Sequence, residues 1–166
     1  TDDLLGVQFL DEKNGFAVGG NGTILRTRSA GAYWERVESS TRSWLEDIKF
    51  VSPTKGIIVG DAGTILVTMD AGITWSKVVT NAKENLYAVS FSSEKNGFAV
   101  GANGLIMLTS DGALSWRDVE SPSRANLFAV VSFAREQAIT VGELGTVLLT
   151  GDGGKTWEIQ PNITGK

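Results

Sequence analysis

Thr68-Met69-Asp70-Ala71-Gly72-Ile73-Thr74-Trp75 returns in the same pattern as Thr150-Gly151-Asp152-Gly153-Gly154-Lys155-Thr156-Trp157. Between them lies Thr109-Ser110-Asp111-Gly112-Ala113-Leu114-Ser115-Trp116, with the glycine moved by one place. Ahead of them lies Thr27-Arg28-Ser29-Ala30-Gly31-Ala32-Tyr33-Trp34, with Ser29 in place of the aspartate. The closing tryptophans Trp34, Trp75, Trp116 and Trp157 are spaced 41 residues apart. The same step relates Gly19, Gly60, Gly101 and Gly142, and again Gly22, Gly63, Gly104 and Gly145. Three ladders in one register define a tandem repeat. Four copies fill nearly all of the 166 residues, as one domain with units at approximately 1–41, 42–82, 83–123 and 124–166.

Each unit reads as four short strands. The first is an apolar run, Leu4 to Leu10 and then Leu45 to Val51, Leu86 to Ser92 and Leu127 to Phe133. The second is Gly15-Phe16-Ala17-Val18-Gly19 and its copies, small and apolar as a strand covered on both faces requires. A tight turn such as Gly20-Asn21-Gly22 leads to the third strand, for example Thr64 to Thr68. The fourth is expected to start at each tryptophan and is charge-rich, which discourages edge-to-edge pairing. Four antiparallel strands in about 40 residues make a β-propeller blade, so the fold class is all-β. Blade one has its own inner strand and blade four its own outer strand, so no leftover strand latches a ring. The four blades either close as a small ring or form part of a larger one, completed by missing blades or by a second copy in a homodimer.

The Ser/Thr-x-Asp-x-Gly-x-Thr-Trp turn between the third and fourth strands is the Asp-box. Its residues are Asp70, Gly72, Trp75, Asp111, Trp116, Asp152, Gly154 and Trp157, with Trp34 closing the divergent first copy. The aspartate can accept hydrogen bonds from its own turn, glycine supplies a positive φ, and the tryptophan packs between units. The spacing does not fit an EF-hand, and boxes one blade apart are too distant to act as a carboxylate pair. These residues are therefore expected to hold the fold, with no metal and no cofactor.

With Gly-Phe-Ala-Val-Gly-x-x-Gly-x-Ile preceding Thr-x-Asp-x-Gly-x-Thr-Trp, the chain resembles the Asp-box (BNR-like) propellers of the photosystem II stability and assembly factor family. The resemblance covers all four repeats, and repeats two and four match best. It implies a non-enzymatic scaffold that assists assembly of membrane-protein complexes in photosynthesis, placed in the thylakoid lumen or periplasm. It also implies seven blades, against four here.

Composition agrees with a non-catalytic role. The chain has no histidine and no cysteine, which removes triads, imidazole shuttles, thiolate nucleophiles and the usual zinc sites. Fifteen Lys and Arg against 19 Asp and Glu give a net charge of -4, which disfavours nucleic acid. No apolar run reaches membrane-spanning length and no signal peptide is visible. The alternative is a carbohydrate-binding or sialidase-like Asp-box propeller. It would need a Tyr nucleophile, and only Tyr33, inside a box, and Tyr87, in an inner strand expected to be core, are present.

Strand order puts the inter-blade connectors and the second-to-third turns on one face, and the Asp-boxes on the other. The connectors carry Arg42, Lys83 and Arg124, again 41 apart, an arc of positive charge able to receive a carboxylate or acidic peptide. Trp44 stands where the other repeats have Asp3, Asn85 and Asn126, and a Trp beside an Arg has hot-spot composition. These four are the candidate protein-binding residues. Arg26, Arg28 and Arg36 form a second candidate cluster near the rim. Asn21-Gly22-Thr23 and Asn162-Ile163-Thr164 fit the glycosylation sequon.

Overall fold

The structure, a computed structural model, describes residues 2–161; the second sequon, at Asn162, lies outside them. Sixteen strands form four antiparallel sheets of four, each in simple meander order. Blade one holds β1 (Leu4–Phe9), β2 (Gly15–Gly19), β3 (Thr23–Thr27) and β4 (Glu35–Val37). Blade two holds β5 (Leu45–Phe50), β6 (Gly56–Gly60), β7 (Thr64–Thr68) and β8 (Ser76–Lys77). Blade three holds β9 (Leu86–Phe91), β10 (Gly97–Gly101), β11 (Ile106–Thr109) and β12 (Arg117–Val119). Blade four holds β13 (Leu127–Ser132), β14 (Ala138–Gly142), β15 (Val147–Thr150) and β16 (Glu158–Ile159). Each first strand ends one residue earlier than its apolar run. Each fourth strand begins after the tryptophan, whose ring in blades two, three and four is turned into the packing between blades rather than into the ladder.

Every first strand carries a register shift at its start, so one extra residue stands opposite the second strand: Leu5, Glu46, Tyr87 and Phe128. A bulge re-aims the side chain it frees. Tyr87 is accordingly half-buried and stacks on the exposed Phe128 of the next blade, at 5.7 Å between ring centroids. It is not the core residue its place in an apolar run suggested.

Neighbouring blades are joined by three buried seams. Phe16, Val18 and Ile24 of blade one pack with Leu45, Ile48, Phe50, Leu66 and Trp75 of blade two. Ile57, Val59, Ile65 and Val67 pack with Leu86, Val89, Met107 and Ala113 of blade three, and Trp116 lies against that cluster. Phe98, Val100 and Ile106 pack with Leu127, Val130, Leu148 and Trp157 of blade four. Each large side chain fully buried this way contributes about 1.5–3 kcal/mol. Side chains of the inner strands also receive backbone N–H groups from the next blade. Phe50 donates to Gln8 Oε1 at 2.7 Å, Val89 to Asp47 Oδ2 at 2.9 Å and Ser132 to Ser90 Oγ at 2.9 Å.

Among the described residues no such cluster joins blade four to blade one. Leu4, Val7 and Phe9 at one end and Phe128, Val131 and Val141 at the other are 41–66% exposed. The four blades form an open arc, not a closed four-bladed ring.

The Asp-box turns act as local clamps. Asp70 Oδ1 accepts from the backbone N–H of Thr74 at 2.9 Å, and Oδ2 accepts from the Thr74 hydroxyl at 2.6 Å. Asp111 with Ser115 and Asp152 with Thr156 repeat both contacts. In blade one the shorter Ser29 still accepts from the Tyr33 N–H at 2.9 Å. The buried threonines Thr68, Thr109 and Thr150 accept from the N–H of Gly72, Ala113 and Gly154, each at 2.9 Å. Hydrogen bonds from the Thr74 hydroxyl and N–H hold the Asp70 carboxyl down at about 2. Those from Thr156 lower Asp152 likewise. Asp111 is also lowered, its burial outweighed by bonds from Ser115 and Thr109.

The clamps position the seam. A Cβ on Gly72, where φ is +74°, would drive into the Phe16 ring, and one on Gly154 into the Phe98 ring. The register that sets Phe16 on Gly72 sets Ile57 opposite Ala113, which tolerates φ of 69° behind the smaller partner.

Two outcomes follow from this packing. Gly72→Ala should lower stability by about 2–4 kcal/mol, from overpacking and left-handed strain together. Adding Phe16→Ile should recover at least half of that loss in urea denaturation followed by tryptophan fluorescence, and simple additivity would refute the coupling. For the clamps, a folded-state value below the ordinary 3.8 means stability that is full above pH 4 and lost as pH falls towards 2. The melting temperature of Asp70→Asn should therefore depend less on pH between 5 and 2 than that of the parent chain.

Candidate functional site

The two faces of the arc are built differently. On one, each Asp-box donates a backbone N–H to the preceding first-to-second turn: Ala30 to Lys13, Ala71 to Thr54, Gly112 to Lys95 and Gly153 to Glu136. On the other, each second-to-third turn is tied to a connector. Gly20 donates to the Asp3 carbonyl, Asp61 to Trp44, Ala102 to Asn85 and Glu143 to Asn126. These connector bonds fall within each blade. A second set runs between blades, from Gly22 to Ser43 and from Gly63 to Glu84.

Asn85 and Asn126 reinforce this second set. Their Oδ1 atoms accept from the N–H of Ala62 and Asn103, at 3.1 and 3.0 Å, each in the preceding blade. Trp44 occupies the equivalent position in blade two. Its ring lies over Gly20, with Cε2 3.6 Å from where a Cβ would stand, so it covers the preceding turn instead of pinning it. It remains 41% exposed. Nothing in the 41-residue ladders marks the asparagine bridges except their own recurrence at 85 and 126.

Arg42, Lys83 and Arg124 stand one on each connector. All three are exposed, and among the described residues none forms an ion pair. The bulge residues Glu46, Tyr87 and Phe128 follow them by four positions in each blade, bringing the Tyr87–Phe128 aromatic pair beside the basic connectors. This pairing depends on the bulges, which the apolar runs do not reveal. A shallow polar groove of about 580 Å³ opens between the third and fourth connectors, lined by Glu84, Asn103, Asp118, Ser121 and Arg124.

The acids nearby are partly withdrawn. Burial pushes the Glu46 carboxyl above the ordinary range, and the neighbouring Asp61 adds to it. Burial alone raises Asp61. Asp47 is also raised by burial, against which the N–H bonds from Val89 and Ile48 work.

The rim arginines do not make a second site. Arg28 pairs with Glu35 at 3.7 Å and Arg36 with Asp2 at 3.7 Å, while Arg26 lies 5.6 Å over the Phe16 ring. Asn21 of the first sequon donates to Asp2 at 2.7 Å, in a turn where its φ is 53°. Tyr33 is 75% exposed on the box face, whereas Tyr87 begins an inner strand next to a connector. Among the described residues no helix is long and apolar enough to cross a membrane.

Among solved structures, a YCF48 bound to a D1 peptide matches all of this chain and 55% of its own, with TM-score 0.78 and 22% identity. YCF48 from Cyanidioschyzon merolae matches 95% of this chain and 56% of its own, at 0.74 and 18%. An ancestral GH74 enzyme matches 94% of this chain but 24% of its own, at 0.76 and 12%. At these identities the likeness concerns the fold, and the chain spans about half the length of the YCF48 structures. No curated protein sequence matches it. The profile of the photosynthesis system II assembly factor YCF48 matches residues 28–85 and 73–163, more than half of the chain. By that match and the blade architecture together, the chain belongs to the YCF48 family of photosystem II assembly factors.

Proposed function

We propose that this protein is a non-catalytic interaction scaffold that assists assembly or stability of a membrane-protein complex. It would receive an exposed peptide of a client subunit on its connector face. The observation that carries the reading is the membership of a family in which a relative has been solved with a D1 peptide bound. The connector face supplies suitable chemistry. Arg42, Lys83 and Arg124 are exposed cations without ion-pair partners among the described residues, and Trp44 and Phe128 offer apolar surface beside them. A client peptide bearing carboxylates and at least one large apolar side chain matches that pattern. A site on the thylakoid lumen or periplasmic side of the membrane belongs to the same proposal.

The absence of catalysis is supported by what the fold does with its reactive groups. The three box aspartates are spent on hydrogen bonds within their own turns. The two tyrosines stand apart, Tyr33 in the first Asp-box turn and Tyr87 at the connector end of an inner strand. Carbohydrate chemistry has only the distant fold likeness to a GH74 enzyme behind it.

Replacing Arg42, Lys83 and Arg124 together by Glu should weaken binding of a fluorescent D1 peptide at least about tenfold, chiefly through slower association. The melting temperature should stay within a few degrees, since exposed charges contribute little to stability. Raising salt from 50 to 500 mM should weaken the parent chain in the same direction. Unchanged affinity in the triple variant would remove the connector arc from the proposal.

A further inference from the structure

Arg26 departs from the repeat in a way its rim neighbours do not. Its counterparts in the following blades are Val67, Leu108 and Leu149. Val67 is buried in the second seam, and Leu108 packs against the third. In blade one the same position carries a cation. Arg26 lies opposite Phe16 in the ladder, with its guanidinium 5.6 Å from the Phe16 ring centroid. Its Nε is sealed from solvent without an acceptor, and among the described residues Arg26 makes no ion pair. Burial, and then the charge of Arg28, disfavours the cation, while Glu35 and Asp70 offset only part of this. A place that suits an aliphatic side chain elsewhere here carries the desolvation cost of a charge that is left unpaired.

Beside that guanidinium the first seam is not closed at its Asp-box end. A hollow of about 560 Å³ opens there, with Phe9, Leu10, Phe16, Val51 and Pro53 among its apolar walls and Arg26 as its one base. Its one acid, Asp11, is engaged by its own turn, accepting from the N–H groups of Lys13 and Asn14 and from the Asn14 amide. Gln8 stands in the same row of blade one as Phe16 and Arg26. Its Oε1 is committed to the Phe50 N–H, which leaves the amide nitrogen as a second donor in the lining. The second seam is spanned differently. Lys55, which replaces Asn14 in register, reaches across and donates to the Glu94 carbonyl at 3.4 Å. Asn14 folds back onto Asp11 instead, and the first hollow keeps its opening.

We propose that this hollow is a second docking point, which takes an acidic side chain and an adjacent apolar one from a segment of a partner protein. The carboxylate meets the Arg26 guanidinium, a planar fork able to hold it by two parallel hydrogen bonds, with the Gln8 amide as a further donor. The apolar neighbour rests on Phe9, Leu10 and Pro53. The volume falls in the ordinary range for small ligands, about 300–1,000 Å³, which accommodates a pair of side chains. The walls belong to the first-to-second turns of blades one and two and to the second Asp-box, so the hollow opens on the face opposite the connectors. A partner held there leaves Arg42, Lys83 and Arg124 free, and one molecule can grip two segments at once.

The probes are two capped dipeptides, acetyl-phenylalanyl-glutamyl amide and its reversed sequence, each with a glutamine counterpart. Binding is followed by nitrogen-15 NMR of the 166-residue chain, from the backbone amides of Leu10, Val51 and Ala71 and from the Arg26 Nε–H. At least one glutamate peptide should shift these signals with a dissociation constant in the millimolar range, and its glutamine counterpart should bind at least about tenfold more weakly. Arg26→Leu installs the side chain that blade three carries as Leu108, so it should keep the melting temperature or raise it. The same variant should bind the glutamate peptide at least about tenfold more weakly, read from the backbone amides. Changing Arg42, Lys83 and Arg124 together to Glu should leave this affinity within about twofold, so failure at one site leaves the other standing. No shift with either glutamate peptide at about 20 mM would overturn the proposal. So would equal binding of the glutamine peptides, undiminished binding to Arg26→Leu, or loss of binding in the connector variant.

Discussion

A blade of this protein has two apolar faces and no means of burying either alone. Everything else in the molecule serves the meeting of one blade with the next. The buried side chains of the second and third strands belong to seams rather than to single sheets, so stability is a property of neighbouring pairs. The Asp-box makes sense in this light. Its carboxylate does no chemistry on a partner, but it fixes the turn that delivers a tryptophan into the seam and opens room for the ring arriving from the blade before. The inner strands add their own tie, because an N–H that would otherwise face the next blade unpaired finds a side-chain acceptor there.

This division of labour separates positions that repeat from positions that break the repeat. The repeating ones, Gly, Thr, Asp and Trp, hold the scaffold. The individual ones collect near the connectors: Trp44 where other blades have Asp or Asn, Glu46 and Tyr87 and Phe128 at the bulges, and Asp47 beneath them. A face stiffened by backbone bonds on every turn can vary its side chains without altering its shape, which suits a recognition surface.

The sequence was readable wherever a contact recurs every 41 residues. The blades, the strand order, the two faces and the boxes all follow from ladders that can be counted. Other features depend on geometry between strands and are silent in one dimension. Nothing in Leu86-Tyr87-Ala88-Val89 announces a bulge, since the register shift is decided by pairing with Gly101 and Val100, so Tyr87 read as core and is not. Trp44 looked like a free anchor, yet part of its ring is occupied by covering Gly20, a contact visible only once the chain has folded back. The rim arginines cluster in sequence, but Arg36 lies opposite Leu25 and so faces away from Arg26, while Arg28 and Arg36 are taken up by Glu35 and Asp2. On the connectors the exposed basic positions lie where the strand order places them.

The openness of the arc also bears on how the chain reaches its structure. Every seam joins residues about one blade apart, so folding can advance from blade to blade through short loop closures and never has to bring the first blade to the last. In a propeller that closes on itself, the final step carries the loop entropy of the entire chain, a cost that grows with chain length and slows folding. Among these four blades no such step occurs, because each seam forms between immediate neighbours. The seams among these four blades can be complete and native-like while the two end faces are still wet, so the order in which those faces are covered is independent of the order in which the blades assemble.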